Sequence, residues 1–214
     1  MKTVALILAR GGSKGIPQKN IIDINKKPLL EYTITTAKKS NVEKVWVSTD
    51  CKDIKSVALN LGAEVLDRPK EFATDTSKSE DALIHFSKKV SFDFLVFLQA
   101  TSPLVSFKDI NKGLEMIYDK NKNYDSIFSA YKEHWLPRWS QNINPINWEI
   151  HKRPMRQDVE ELFVENGAFY ITTYKAFQKS SLRYSGKIGI VEMPFSRSFQ
   201  VDTKDDLSLI KRLI

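Results

Sequence analysis

Residues 4–8 and 94–98 of the chain are apolar without alternation, the pattern of strands covered on both faces. Between them the apolar spacing lengthens to the helical period over 29–39, 54–61 and 79–89, separated by shorter β-prone runs at 44–48 and 64–66. A further helix is predicted over 110–119. This alternation predicts an α/β fold: a three-layer α/β/α, Rossmann-like arrangement with a mostly parallel central sheet. Ligands bind such sheets beyond the carboxyl ends of the strands. Polar residues cluster at those ends: Arg10 after the first strand, Ser48-Thr49-Asp50 closing the second, Arg68-Pro69 after the third and Gln99-Ala-Thr-Ser-Pro103 after the fourth.

The periodicity stops at Ala130. Residues 131–156 are rich in Trp, Pro and Asn, with Trp135, Trp139 and Trp148 around Pro137 and Pro145. The stretch is too apolar for a free linker. Aromatic and arginine residues at this density are typical of interface anchors, and a long loop packed on its own sheet edge is the alternative. Past it, Gly167 precedes a β-prone run, predicting a strand that begins with close backbone approach to a ligand, and a last helix is predicted over 204–213.

The loop after the first strand carries the most chemistry. Leu8 and Ala9 lead into Arg10, Gly11, Gly12, Ser13, Lys14, Gly15 and then Lys19-Asn20. The glycines predict a tight turn that approaches a ligand closely, with freed amides facing a phosphate. Arg10, Lys14 and Lys19 add positive charge suited to a triphosphate, Arg10 with a planar bidentate fork. Neither the P-loop Gly-Lys-Ser/Thr nor the G-x-G-x-x-G dinucleotide fingerprint is present.

At 214 residues, 42% hydrophobic and 28% charged, the chain is expected to form one domain over 1–214 with a projecting arm at about 131–156. No apolar run is long enough to span a membrane, and Met1-Lys2 enters the first strand directly, so a cytoplasmic protein without a membrane partner is expected. Cys51 is alone, and no Cys/His cluster has zinc spacing. The net charge of +7 would suit nucleic acid, but the lysines are dispersed in pairs and no recognition motif accompanies them. No nucleic-acid partner is therefore expected, and positive potential equally serves an enzyme whose substrates are anions.

The run from Leu8 to Asn20 resembles the Arg-Gly-Gly-Ser-Lys-Gly-x-Pro-x-Lys-Asn signature of the acylneuraminate cytidylyltransferases, the CMP-sialic acid synthetase family. Ser48-Thr49-Asp50, Arg68-Pro69, Asp75-Thr76 and the segment 98–104 match later blocks of that family in order, as does Asn166-Gly167-Ala168-Phe169-Tyr170. Taken singly, Thr49 or Asp50 could serve as a helix N-cap and Gln99 as a loop hydrogen-bonder. Two departures stand out: Val105 replaces a frequent arginine, and Gln200 replaces the first aspartate of the terminal block whose second is Asp202.

The resemblance implies a nucleotidyltransferase fold, a dimerisation arm and hence a homodimer. Arg10, Lys19 and Asp202 would be catalytic, and residues 8–14, Lys19, Asn20, Arg68, Asp75 and Thr76 would bind nucleotide. Gln99, Thr101, Ser102, Arg156, Asn166, Gly167, Ala168 and Tyr170 would face the sugar, with Arg156 on its carboxylate. Glu165, which often precedes Asn-Gly in relatives, defines no substrate. Asp202 would hold Mg²⁺, a hard ion needing only one or two carboxylates besides phosphate oxygens, or would instead cap the terminal helix.

The implied reaction is attack by the anomeric hydroxyl of a nine-carbon 2-keto sugar acid on the α-phosphorus of CTP. It releases pyrophosphate and forms a CMP-sugar. The acid would be sialic acid or a legionaminic or pseudaminic relative. A Kdo-type cytidylyltransferase and a non-catalytic nucleotide-binding protein are the alternatives. None of the histidines is assigned to proton transfer.

Overall fold

A computed structural model describes residues 1–214. Its core is a seven-stranded sheet in the order β5-β4-β1-β6-β8-β7-β9, comprising β1 (Thr3–Leu8), β4 (Lys44–Thr49), β5 (Glu64–Asp67), β6 (Phe94–Gln99), β7 (Ser126–Glu133), β8 (Leu162–Thr173) and β9 (Ile188–Glu192). β1 pairs in parallel with β4 and β6, and β4 with β5, whereas β8 runs antiparallel to both neighbours. A two-residue hairpin, β2 (Asp23–Ile24) and β3 (Lys27–Pro28), stands apart.

Strand parity sorts the core into two layers. Ala5, Ile7, Val45, Val47, Val96 and Leu98 point to one face, beneath α1 (Leu29–Lys39), α2 (Lys52–Asn60) and α4 (Phe107–Tyr118). Val4, Leu6, Leu95, Phe97 and Tyr170 point to the other, beneath α3 (Ser79–Ser87) and α5 (Tyr174–Ser180). The three-layer prediction therefore holds. α1 forms because Leu29, Leu30, Thr33, Ile34 and Ala37 make one buried helical stripe, and it starts and ends at the predicted residues. α4 starts with a capping box between Ser106 and Asp109. The last helix, α6 (Lys204–Leu213), buries Ile210 in a small cluster with Ile16, Ile24, Leu29 and Val201. That cluster ties the C-terminus to the first loop.

Two expectations are corrected here. β8 begins at Leu162, not at Gly167, and is interrupted: Tyr170 faces Phe128 on β7 but Glu165 faces Ala130, so the intervening β8 residues bulge out. Gly167 sits in that bulge at φ +66°, with Gln200 and Gln99 packed where a Cβ would lie. The irregular stretch also starts later than predicted, because β7 and β8 stay paired out to Glu133 and Leu162, which leaves 134–161 as the connection between them. Two isolated bridges, Trp139 to Pro145 and Glu149 to Lys152, and an edge-on contact between Trp139 and Trp148 give it shape. Arg153 stacks over Trp135 and Trp148.

Candidate active site

The first loop is fastened to the sheet by its backbone. Buried Ala9 donates to the Ser48 carbonyl at 3.1 Å, Gly11 donates to Asp50 Oδ1 at 2.9 Å, and the Asn20 side chain donates to the Arg10 carbonyl at 2.9 Å. Asp50 is thus a loop anchor and not a cap, since α2 follows Cys51 with no side-chain cap.

The loop glycines are needed for close approach and not for left-handed backbone. None of Gly11, Gly12 or Gly15 has positive φ. A Cβ on Gly11 would lie 2.9 Å from Cys51 Cβ, and one on Gly15 would lie 2.9 Å from the Asp202 carbonyl, while Gly12 faces open space. Gly15→Ala should therefore cost about 1–3 kcal/mol through overpacking, and Gly12→Ala less than about 0.5 kcal/mol. Equal melting temperatures for the two variants would contradict this placement.

Above the loop lies a cavity of about 410 Å³. Of the residues singled out in the sequence, Leu8, Arg10, Ser13, Lys14, Lys19, Asn20, Arg68, Asp75, Gln99 and Thr101 line it. Cations converge at the loop end. Arg10 pairs with Asp75 at 2.9 Å and donates to the Thr74 carbonyl at 2.6 Å, Lys14 pairs with Asp75 at 2.8 Å, and Lys19 pairs with Asp202 at 2.8 Å. Arg68 is buried and donates to Ser48. Burial pulls its guanidinium down to about 10, Asp50 opposing and Arg10 reinforcing, so it stays charged at neutral pH.

Several assignments change once the contacts are seen. Asp75 is itself an anion that engages Arg10 and Lys14, and the hydrogen bond from Lys14, followed by weaker effects that include Arg10, holds its carboxyl below the usual range. Its charge is met by the same cations that suit a phosphate. Thr76 turns to Thr74 within the same loop. Ser102 is buried with its hydroxyl unpartnered, off the cavity. Asn166 is consumed inside the bulge: its Oδ1 accepts from the Ser129 hydroxyl at 2.6 Å and from the Ala168 amide at 3.2 Å, and its Nδ2 donates to Ser198 at 3.0 Å. Ala168 and Tyr170 are buried beside it. Arg156 lies in the arm, in a separate cavity with His134, Trp135 and Glu161, so one chain does not bring it to Gln99 and Thr101.

The two departures in the sequence have local reasons. Val105 packs into the larger core cluster, where an arginine would be buried. Gln200 accepts from Thr101 at 3.3 Å and donates to the Asn166 carbonyl, so it clamps the bulge and does not stand in for a metal ligand. Asp202 is not the cap of α6. Thr203 is, its hydroxyl accepting from the Asp206 amide in a capping box.

Phe72, Thr74, Ser77, Lys78, Ser79 and Phe97 also line the cavity and were not singled out in the sequence. Strand parity was the available signal for Phe97, which lies two residues before Gln99 and so on the same face.

No group of three or more His, Cys, Asp or Glu side chains is placed to hold a metal ion by protein ligands alone. The donor chemistry here fits a hard ion only with Asp202 and phosphate oxygens together, which is how Mg²⁺ is usually held.

The profile of the Cytidylyltransferase family matches residues 4–213. The chain belongs to the cytidylyltransferase family. N-acylneuraminate cytidylyltransferase B of Danio rerio is 38% identical over 210 residues, which are 94% of this chain and 49% of that protein. Pseudaminic acid cytidylyltransferase of Campylobacter jejuni serotype O:2 is 33% identical over 227 residues, covering 100% of this chain and 96% of its own length. The chain thus spans about half the length of the N-acylneuraminate relatives and nearly all of the pseudaminic one. In fold it is similar to CMP:2-keto-3-deoxy-manno-octonic acid synthetase complexed with CTP, with a TM-score of 0.75 at 18% identity, over 100% of this chain and 98% of that one. In this chain the glycine loop that follows β1 carries the cations Arg10 and Lys14, and Lys19 lies just beyond it.

Proposed function

We propose that this cytidylyltransferase activates a nine-carbon 2-keto sugar acid with CTP, giving the CMP-sugar and pyrophosphate. The observation that carries the reading is the mixed lining of the cavity: the cations Arg10, Lys14, Lys19, Arg68 and Lys78 share it with the uncharged Phe97, Gln99 and Thr101. A triphosphate is matched by the first set and a polyhydroxyl acid by the second. The anomeric oxygen attacks the α-phosphorus and pyrophosphate leaves toward the cations, so positioning and charge neutralisation supply the acceleration. Mg²⁺ bound through Asp202 would neutralise further charge on the phosphates.

The test is pyrophosphate release with CTP, Mg²⁺ and N-acetylneuraminic, legionaminic or pseudaminic acid, with a Kdo-type octulosonate and UTP or ATP as comparators. Turnover of the octulosonate alone would replace this reading with its alternative, and turnover of nothing would leave only a nucleotide-binding protein.

The proposal includes a homodimer formed through the arm. Leu136, Ile143, Ile146, Ile150 and Met155 are exposed there, Ile143 at 78%, a density of apolar surface that needs a partner. The tryptophans instead pack on one another and on Arg153, so they shape the arm. Replacing Ile143 and Ile146 together by Asp should weaken association more than tenfold in sedimentation while the fold survives. A wild-type protein that is monomeric at micromolar concentration would refute the arm reading. Arg156 serves a sugar carboxylate only if association carries the arm to a cavity. Arg156→Lys should then raise the KM for the acid and leave that for CTP unchanged.

A further inference from the structure

The two residues expected to meet the triphosphate and its metal are bonded to each other. The Lys19 ammonium donates to Asp202 Oδ1 at 2.8 Å, so the cation suited to phosphate covers one oxygen of the carboxylate suited to Mg²⁺. Gln200 and Asp206 are committed elsewhere. Gln200 spends its amide on Thr101 and on the Asn166 carbonyl, and Asp206 Oδ2 takes the amides of Asp202 and Thr203 at 3.1 and 2.7 Å.

Both stems are fixed by backbone, which leaves the lysine side chain as the part free to move. Val201 donates to the Thr101 carbonyl at 2.8 Å, the Asp202 amide is held by Asp206, and the Asp202 carbonyl packs against Gly15, where a Cβ would lie 2.9 Å away. On the other side the Lys19 amide donates to the Ile16 carbonyl and the Ile22 amide to the Lys19 carbonyl, each at 3.2 Å. A flexible four-carbon stem then carries the ammonium. Lys19 lines the cavity, and its side chain is 17% exposed against 63% for Asp202. The ammonium therefore has the cavity on one side and the carboxylate on the other, while the carboxylate stays open to water and to a hydrated ion.

An ammonium and a divalent ion on the same carboxylate repel each other. A phosphate that draws Lys19 into the cavity thus uncovers the metal ligand, and a metal ion on Asp202 releases Lys19 to phosphate. Such coupling is reciprocal. We propose that the Lys19–Asp202 ion pair is an exchange switch through which nucleotide and metal binding favour each other: in the free protein it holds the lysine back from phosphate and screens the carboxylate from cations. This rests on the function proposed above and adds an order to it, the metal entering with or after the phosphates.

Binding of CTP without the sugar acid, measured by calorimetry in EDTA and again in Mg²⁺, tests the switch with no acceptor to turn over. Asp202→Asn should tighten CTP binding in EDTA about three- to fivefold, the worth of a partly exposed ion pair, because Lys19 is no longer held back. In Mg²⁺ the same variant should bind CTP at least about threefold more weakly than wild type, because the amide lacks the charge a hard cation requires. The sign of the effect thus reverses with the metal. Folding is not at stake, since Asp202 is exposed and caps nothing. The gain in EDTA should vanish when Asp202→Asn is made in a Lys19→Met background, where there is no ammonium to release. A gain that survives there is plain repulsion between carboxylate and phosphates, and it would overturn the switch. An Asn variant that binds CTP no better in EDTA, or no worse in Mg²⁺, would overturn it too, while the function above stands. If wild type binds CTP in neither buffer, that function falls and takes this inference with it.

Discussion

Lys19→Ala should lower kcat/KM for CTP about a hundredfold, with KM for the sugar acid nearly unchanged. Its side chain is only 17% exposed, paired with Asp202 and held on the turn that follows the glycine loop. A cation so placed acts on charge that develops as pyrophosphate leaves, and losing one such contact typically costs on the order of a hundredfold in rate. Arg10→Ala should match it for a second reason: Arg10 also holds the Thr74-Asp75 segment through the Thr74 carbonyl and the Asp75 carboxylate. That ion pair does not block the nucleotide, because a partly exposed pair is worth roughly 0–1 kcal/mol and a polyanion displaces it. Lys14 provides the graded control. Its side chain is 79% exposed, so water and salt screen it, and Lys14→Ala should cost no more than about tenfold. Steady-state rates at limiting CTP decide the order. Wild-type turnover by the Lys19 variant would remove the loop from the triphosphate site.

Where the determinants are local, the sequence carried the fold almost to the residue. α1 and α6 begin and end as predicted because each has a compact apolar stripe and polar flanks. The β2–β3 hairpin escaped because its turn residues, Asn25 and Lys26, adopt positive φ without the glycine that normally announces such a turn. β8 escaped in part because the bulge at Asn166 to Phe169 breaks its period, and the bulge is held by Ser129, far away in sequence. The nucleotide half of the site was legible since its cations sit on one loop. The Arg183–Glu80 ion pair was not: the two residues are 103 apart, and nothing in either segment signals the other. The cap of α6 was available to a closer reading, for Asp206 lies three residues after Thr203 and the pair is a capping-box pattern.

That cap separates two roles that the sequence left fused in Asp202. If Asp202 holds Mg²⁺ against the triphosphate, Asp202→Asn keeps the shape of the side chain and loses the charge a hard cation requires. The variant should then need at least tenfold more Mg²⁺ for half-maximal rate. Its stability should barely change, because the side chain is 63% exposed, caps nothing and pairs only with Lys19. Thr203→Ala should behave in the opposite way. It removes the hydroxyl that accepts from the Asp206 amide, costing about 1 kcal/mol, or ~2–4 °C in melting temperature for a chain of this size. Its magnesium titration should overlay that of wild type. The two measurements therefore cross: metal dependence moves with residue 202 and melting with residue 203. An unchanged titration for Asp202→Asn at full turnover would remove this carboxylate from the metal site. It would then have no part in turnover, and Lys19→Ala would cost the same factor with or without the aspartate.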